Sequence, residues 1–119
     1  MNDFLTRSSR LMLVLVAFSI SSCHARTTGK ITDSITMTRV LQTALPFGTE
    51  LSTARTFMEH EGFHCTPQTN ARWGDRSHLD YLYCERSDGS IVQRHWQVAI
   101  VYYGKYVFEV LVTTDLVGP

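Results

Sequence analysis

Residues 60–64 read His-Glu-Gly-Phe-His. On a helix, the His-Glu-x-x-His spacing sets two imidazoles one turn apart around a zinc ion, with the glutamate beside a metal-bound water. That chemistry needs both histidines on one helical face. Gly62 stands where a helix would end, because glycine readily takes the left-handed conformation that follows one, and the hydrophobic period changes from 3.6 to 2 directly after it. His60 and His64 are therefore expected as two partly exposed histidines at a helix end. Adventitious zinc through His60, His64 and an unpaired Cys65 is one alternative, and a small zinc-dependent hydrolase using His60 and His64 the remote one. Ser77, His78 and Asp80, like Ser87, Asp88 and Ser90, have the residue types of nucleophilic catalysis, but no Gly-x-Ser-x-Gly turn surrounds any serine. Turn chemistry accounts for them. No catalytic residue, metal or cofactor is expected.

The whole chain has 119 residues, with 11 basic and 11 acidic side chains and 44% apolar residues. This is the balance of one globular domain with a modest core. A formal charge of zero argues against a nucleic-acid partner, which would require a basic excess to displace counterions. Arg72, Arg76, Arg86 and Arg94 are interleaved with Asp75, Asp80, Glu85 and Asp88, which reads as a mixed, solvated surface.

Residues 1–10 are polar, with Arg7 and Arg10 against Asp3, and residues 11–20 form an apolar run broken by one serine. The run is too short for a permanent membrane span, which needs about 20 residues. A basic stretch followed by a short apolar one is the layout of a secretory signal peptide. Ile20-Ser21-Ser22-Cys23 then resembles the lipobox of bacterial lipoproteins. That resemblance implies removal of residues 1–22 and a diacylglycerol on the Cys23 sulfur, with acylation (palmitate among the chains) of the new amino group. It places the protein in the bacterial cell envelope, lipid-anchored and facing the periplasm; His24 after the cysteine favours the outer membrane. The alternatives are a secretory signal cut after Ala25 and an uncleaved signal anchor. Residues 23–33 read as the lipidated cysteine and a short polar tether, and residues 34–119 as a small domain.

With Cys23 assigned to lipid, Cys65 and Cys84 form an even pair in an oxidising compartment, for which a disulfide is the simplest outcome. The 19-residue separation would give it a contribution of about 3 kcal/mol.

Asp33 is a suitable N-cap for a helix whose apolar stripe is Met37, Val40, Leu41, Ala44 and Leu45, stopped by Pro46. Thr49 would cap a second helix, with Leu51, Ala54, Phe57 and Met58 inward and Gly62 ending it. Residues 63–66 form a possible short strand, residues 67–77 a loop, and residues 78–86, 91–102 and 106–114 three strands of period 2. An Asp88-Gly89 two-residue hairpin would set Tyr81 beside Trp96 and Leu79 beside Val98. A two-residue Gly104-Lys105 turn would pair Ile100 with Glu109, so a three-residue turn, pairing Ile100 with Phe108, is preferred. The fold class is α+β: two N-terminal helices on one face of an antiparallel three- to four-stranded meander, a two-layer sandwich.

The Gly48-Thr49 helix start and the element order over residues 34–114 resemble two families. One is the barrel-assembly type of small outer-membrane lipoprotein, and the other the β-lactamase-inhibitor-protein-like fold. The lipobox, the small stapled domain and the absence of a catalytic set point to a non-enzymatic binding or scaffold module whose partner is another envelope protein, and the second resemblance implies an inhibitor of a periplasmic or foreign hydrolase. The sheet face away from the helices would carry Leu82, His95, Gln97, Ala99, Val101 and Tyr103, a half-apolar surface suited to a partner unless the 67–77 loop, with Trp73, folds over it.

Overall fold

The computed structural model describes residues 26–118. Asp33 opens helix α1 (Ser34–Ala44): its carboxylate accepts a 2.9 Å hydrogen bond from the Thr36 amide, a first-turn donor that has no partner within the helix. Met37, Leu41 and Leu45 recur at helical spacing and are buried, and Pro46 bars a further turn. Helix α2 (Leu51–His60) begins one residue later than the sequence suggests, with Glu50 at the cap position, because the Thr49 hydroxyl donates instead to the Pro46 carbonyl at 2.7 Å.

Four strands follow, β1 (His64–Trp73), β2 (Arg76–Asp88), β3 (Gln93–Tyr103) and β4 (Tyr106–Val117), hydrogen-bonded in chain order as one antiparallel sheet. Two helices and an antiparallel sheet make this an α+β protein. The connection between the helices is stitched to β4. Gly48 N–H donates to the Val107 carbonyl at 2.8 Å, Val107 N–H to that of Thr49 at 2.7 Å, and Leu51 N–H to that of Lys105 at 2.7 Å. Met37, Leu41, Ala54 and Met58 share one buried cluster with Leu82, Cys84, Trp96, Val98 and Ile100.

Three local expectations are overturned. Residues 67–77 are not a loop: they complete β1, turn at Gly74-Asp75 and begin β2. Pro67 is tolerated because β1 is an edge strand, and the irregular pairing between Gln68 and Ala71 takes up the polar residues. Asn70 and His78 have positive φ there, and the Asp80 carboxylate accepts from Asn70 N–H at 2.9 Å. The β2–β3 register is also different. Asp88 pairs with Arg94 across a longer loop, so Tyr81 lies opposite Val101, five residues beyond Trp96. A shift by an odd number exchanges the two faces. Leu82 and Cys84, not Tyr81 and Tyr83, therefore belong to the buried cluster of Met37, Leu41, Ala54 and Met58. Finally, Tyr103 pairs with Tyr106 across a two-residue Gly104-Lys105 turn, and a bulge between Val101 and Tyr102 brings Ile100 opposite Val110. Gly104, at φ +62°, takes the first central position that such a turn demands. The bulge removes the conflict that favoured a longer turn.

Candidate functional site

Glu61, the middle of the His-Glu-x-x-His stretch, is only 2% exposed. Its carboxylate accepts hydrogen bonds from Thr27 N–H at 3.1 Å, Thr28 N–H at 2.8 Å and the Thr28 hydroxyl at 2.7 Å. Burial alone would raise its pKa; the bonds from Thr28 and Thr27, with the nearby charge of Arg86, outweigh that and hold it below the ordinary carboxylate value. Arg86 completes the cluster. Its guanidinium donates to the Thr28 hydroxyl at 2.8 Å, the Glu61 carbonyl at 2.8 Å and the Thr28 carbonyl at 3.2 Å, and bidentately to Asp88, both bonds 2.9 Å. It also lies over the Phe63 ring, 4.6 Å from the centroid. All five of its N–H groups are thereby engaged. The stretch expected as a tether is thus held to the body of the protein, with Thr28 fully buried.

This clamp redirects the residues of the zinc pattern. His60 closes α2, Gly62 follows at φ +90°, and exposed His64 opens β1. The two histidines do not share a helical face, and the glutamate that would activate water instead binds the N-terminal segment. Among the described residues, no group of three or more histidine, cysteine or acidic side chains is arranged to hold a metal. Arg86 is likewise no solvated surface charge, and Arg76 pairs with Glu109 at 2.6 Å.

Cys65 and Cys84 lie directly opposite one another on β1 and β2, buried, with their sulfurs 2.9 Å apart. Both are free thiols, so the expected disulfide is not formed in this structure. The contact lets Cys84 donate to the Cys65 sulfur. That hydrogen bond holds Cys65 below the ordinary thiol pKa and, together with burial, pushes Cys84 far above it. Cys65 is the sulfur that ionises first.

The sheet face expected to bind a partner is largely closed. Leu82 belongs to the helix-side cluster through the register shift, and Val101 is buried with Leu79, Tyr81 and Ala99. Trp73, carried across by the β1–β2 hairpin, meets Tyr81 edge to face at 5.6 Å and Tyr83 at 6.4 Å. His95 and Gln97 remain half-buried on this face: Gln97 donates to the Tyr83 hydroxyl at 2.9 Å, and His95 stands 3.3 Å from Glu85. Of the six residues expected on that face, only Tyr103 is well exposed. It joins Phe47, Tyr106 and Phe108 at the β3–β4 turn, where Phe108 meets Tyr103 at 5.0 Å and Phe47 at 5.8 Å around a recess of about 290 Å3.

No family model, no curated protein and no solved structure matches the chain. The lipobox, Ile20 to Cys23, lies outside the described residues, and among those described no helix is long and apolar enough to cross a membrane. The clamp has a faint sequence signal in Glu61 next to a helix-ending glycine, whereas Arg86 falls on the inward side of β2 only in the observed register. The aromatic end has none, since Phe47 lies 56 residues from Tyr103 and only the fold unites them.

Proposed function

We propose that the protein is a lipid-anchored component of the bacterial cell envelope, facing the periplasm, that acts as a non-enzymatic binding or scaffold module for another envelope protein. Cys23 is the lipidated residue, and the two helices form the layer that covers one sheet face, supported by the buried cluster they share with it. The lipobox supports the anchor. The observation that carries the binding role is the exposed aromatic set Phe47, Tyr103, Tyr106 and Phe108, since contiguous aromatic side chains at a surface are characteristic of protein interfaces. This replaces the sheet face as the contact surface.

The test has two parts. The mass of the protein extracted from membranes reports loss of residues 1–22 and the acyl chains on Cys23. A photoreactive amino acid at position 47 of the full chain, irradiated in intact envelopes, should trap one discrete partner protein, whereas the same group at exposed Thr66 should not. Equal trapping at both positions would refute the aromatic end as the binding surface.

A further inference from the structure

We propose that the opposite end of the sheet is a membrane-contacting surface, at which Ile91, Val92, Leu116 and Val117 enter the headgroup region of a lipid bilayer. The proposal rests on the lipid-anchor reading. Ile91 and Val92, in the loop between β2 and β3, are 75% and 55% exposed, and Leu116 and Val117, at the end of β4, are 61% and 51% exposed. They adjoin, because Gln93 pairs with Val117 and Arg94 with Leu116. Of the acids close by, Asp88 is held by Arg86, and exposed Asp115 stands 3.8 Å from a His95 ring nitrogen.

The place where the described chain begins decides which way this end faces. Thr28 is bound by Arg86, and the same guanidinium grips Asp88, the last residue before the loop. The N-terminal segment therefore reaches the protein at the aliphatic end and not at the aromatic one. Cys23 precedes Thr27 by four residues, and an extended chain spans at most about 3.5 Å per residue, so the lipid attachment lies within about 14 Å of the clamp. A free tether would allow any face to meet the membrane. A clamped one presents this end. Aliphatic side chains with a basic residue, Arg94, beside them are suited to the boundary between headgroups and acyl chains, and they supply the second attachment that strengthens a lipid anchor. The aromatic end, the length of β3 away, is then held out about 30 Å from the bilayer.

The experiment places a diazirine-bearing amino acid at position 91 or, for comparison, at position 108 of the full chain in its native membranes. Lipid adducts are quantified by mass spectrometry after irradiation. Lipid adducts at 91 should exceed those at 108 severalfold, since only the former enters the headgroup region. Equal yields, or protein adducts in place of lipid at 91, would overturn the proposal. The intact mass reports the anchor separately. Acylated Cys23 without lipid adducts at 91 refutes the membrane-contacting end and leaves the anchor standing. Bare Cys23 with adducts at 91 does the reverse, and bare Cys23 without adducts refutes both.

Discussion

Replacing Glu61 with Gln tests whether the N-terminal segment is part of the fold. The substitution keeps the shape but turns one carboxylate oxygen into an NH2 group that faces an N–H of Thr27 or Thr28. It also removes the charge from three hydrogen bonds. Taken singly, bonds to a charged acceptor contribute about 1.5–3 kcal/mol each. Their sum exceeds what the variant can lose, because the segment is free to peel away and return its donors to water. The expected cost is therefore about 2–3 kcal/mol, which for a domain of this size is a fall in thermal midpoint of roughly 8–20 °C. The pH dependence gives an independent check. The folded protein holds the Glu61 carboxyl below its ordinary pKa, so near and below that value the unfolded chain binds more protons. Its stabilisation is complete above the unfolded value, about 4.3, and disappears as pH falls through the folded one. Circular dichroism melts of the full chain at pH 7 and pH 3 should show a wide gap between native and E61Q proteins that closes in acid. A gap that is the same at both pH values, or a midpoint within about 2 °C of the native one at pH 7, would refute the clamp.

Gly89→Ala should destabilise by about 1–3 kcal/mol, since φ is +106° and the added Cβ would meet the Val92 carbonyl oxygen at 2.5 Å; Gly48→Ala, also at positive φ but with open space around it, should cost less, and chemical denaturation compares the two. Treatment with a soluble disulfide should link Cys65 to Cys84 within one chain, with Cys65 attacking first and two hydrogens lost in the intact mass; directly opposed residues on antiparallel strands stand about 4.5–5.5 Å apart at Cα, inside the span a disulfide bridges. Persistent free thiols under that treatment would contradict the pairing. Trp73→Ala should uncover Tyr81 and Val101 and cost about 1–3 kcal/mol, with increased binding of a hydrophobic dye as the direct readout.

Both helices were legible because their signals are local: Asp33 before an apolar stripe, Pro46 after it, and Gly62 where the period changes. The strands were legible as strands, whereas their partners were not. Asp88-Gly89 advertises a two-residue turn, and the apolar match of Tyr81 with Trp96 endorses it, yet Gly89 instead opens a longer loop in which its own backbone closes on Val92. Periodicity fixes alternation but leaves open which of two apolar sets faces the helices, and β2 has both, Leu79-Tyr81-Tyr83 and Leu82-Cys84. The inferred partner face lost Leu82 with that choice, while Val101 stayed on it and is covered. Pro67 concealed β1 because a proline argues against a strand unless the strand is known to lie at an edge. The adjacency of Cys65 and Cys84, by contrast, survived the change of register, since it depends on the β1–β2 hairpin and not on β3.

The outer border of β1 is irregular along much of its length. Pro67 has no N–H to offer, Asn70 turns to positive φ, and its side-chain carbonyl accepts from His78 Nδ1 at 2.8 Å, holding the kink in place. A neighbouring molecule seeking to continue the sheet would find a broken row of donors and acceptors there. That interruption guards this edge against sheet-to-sheet association.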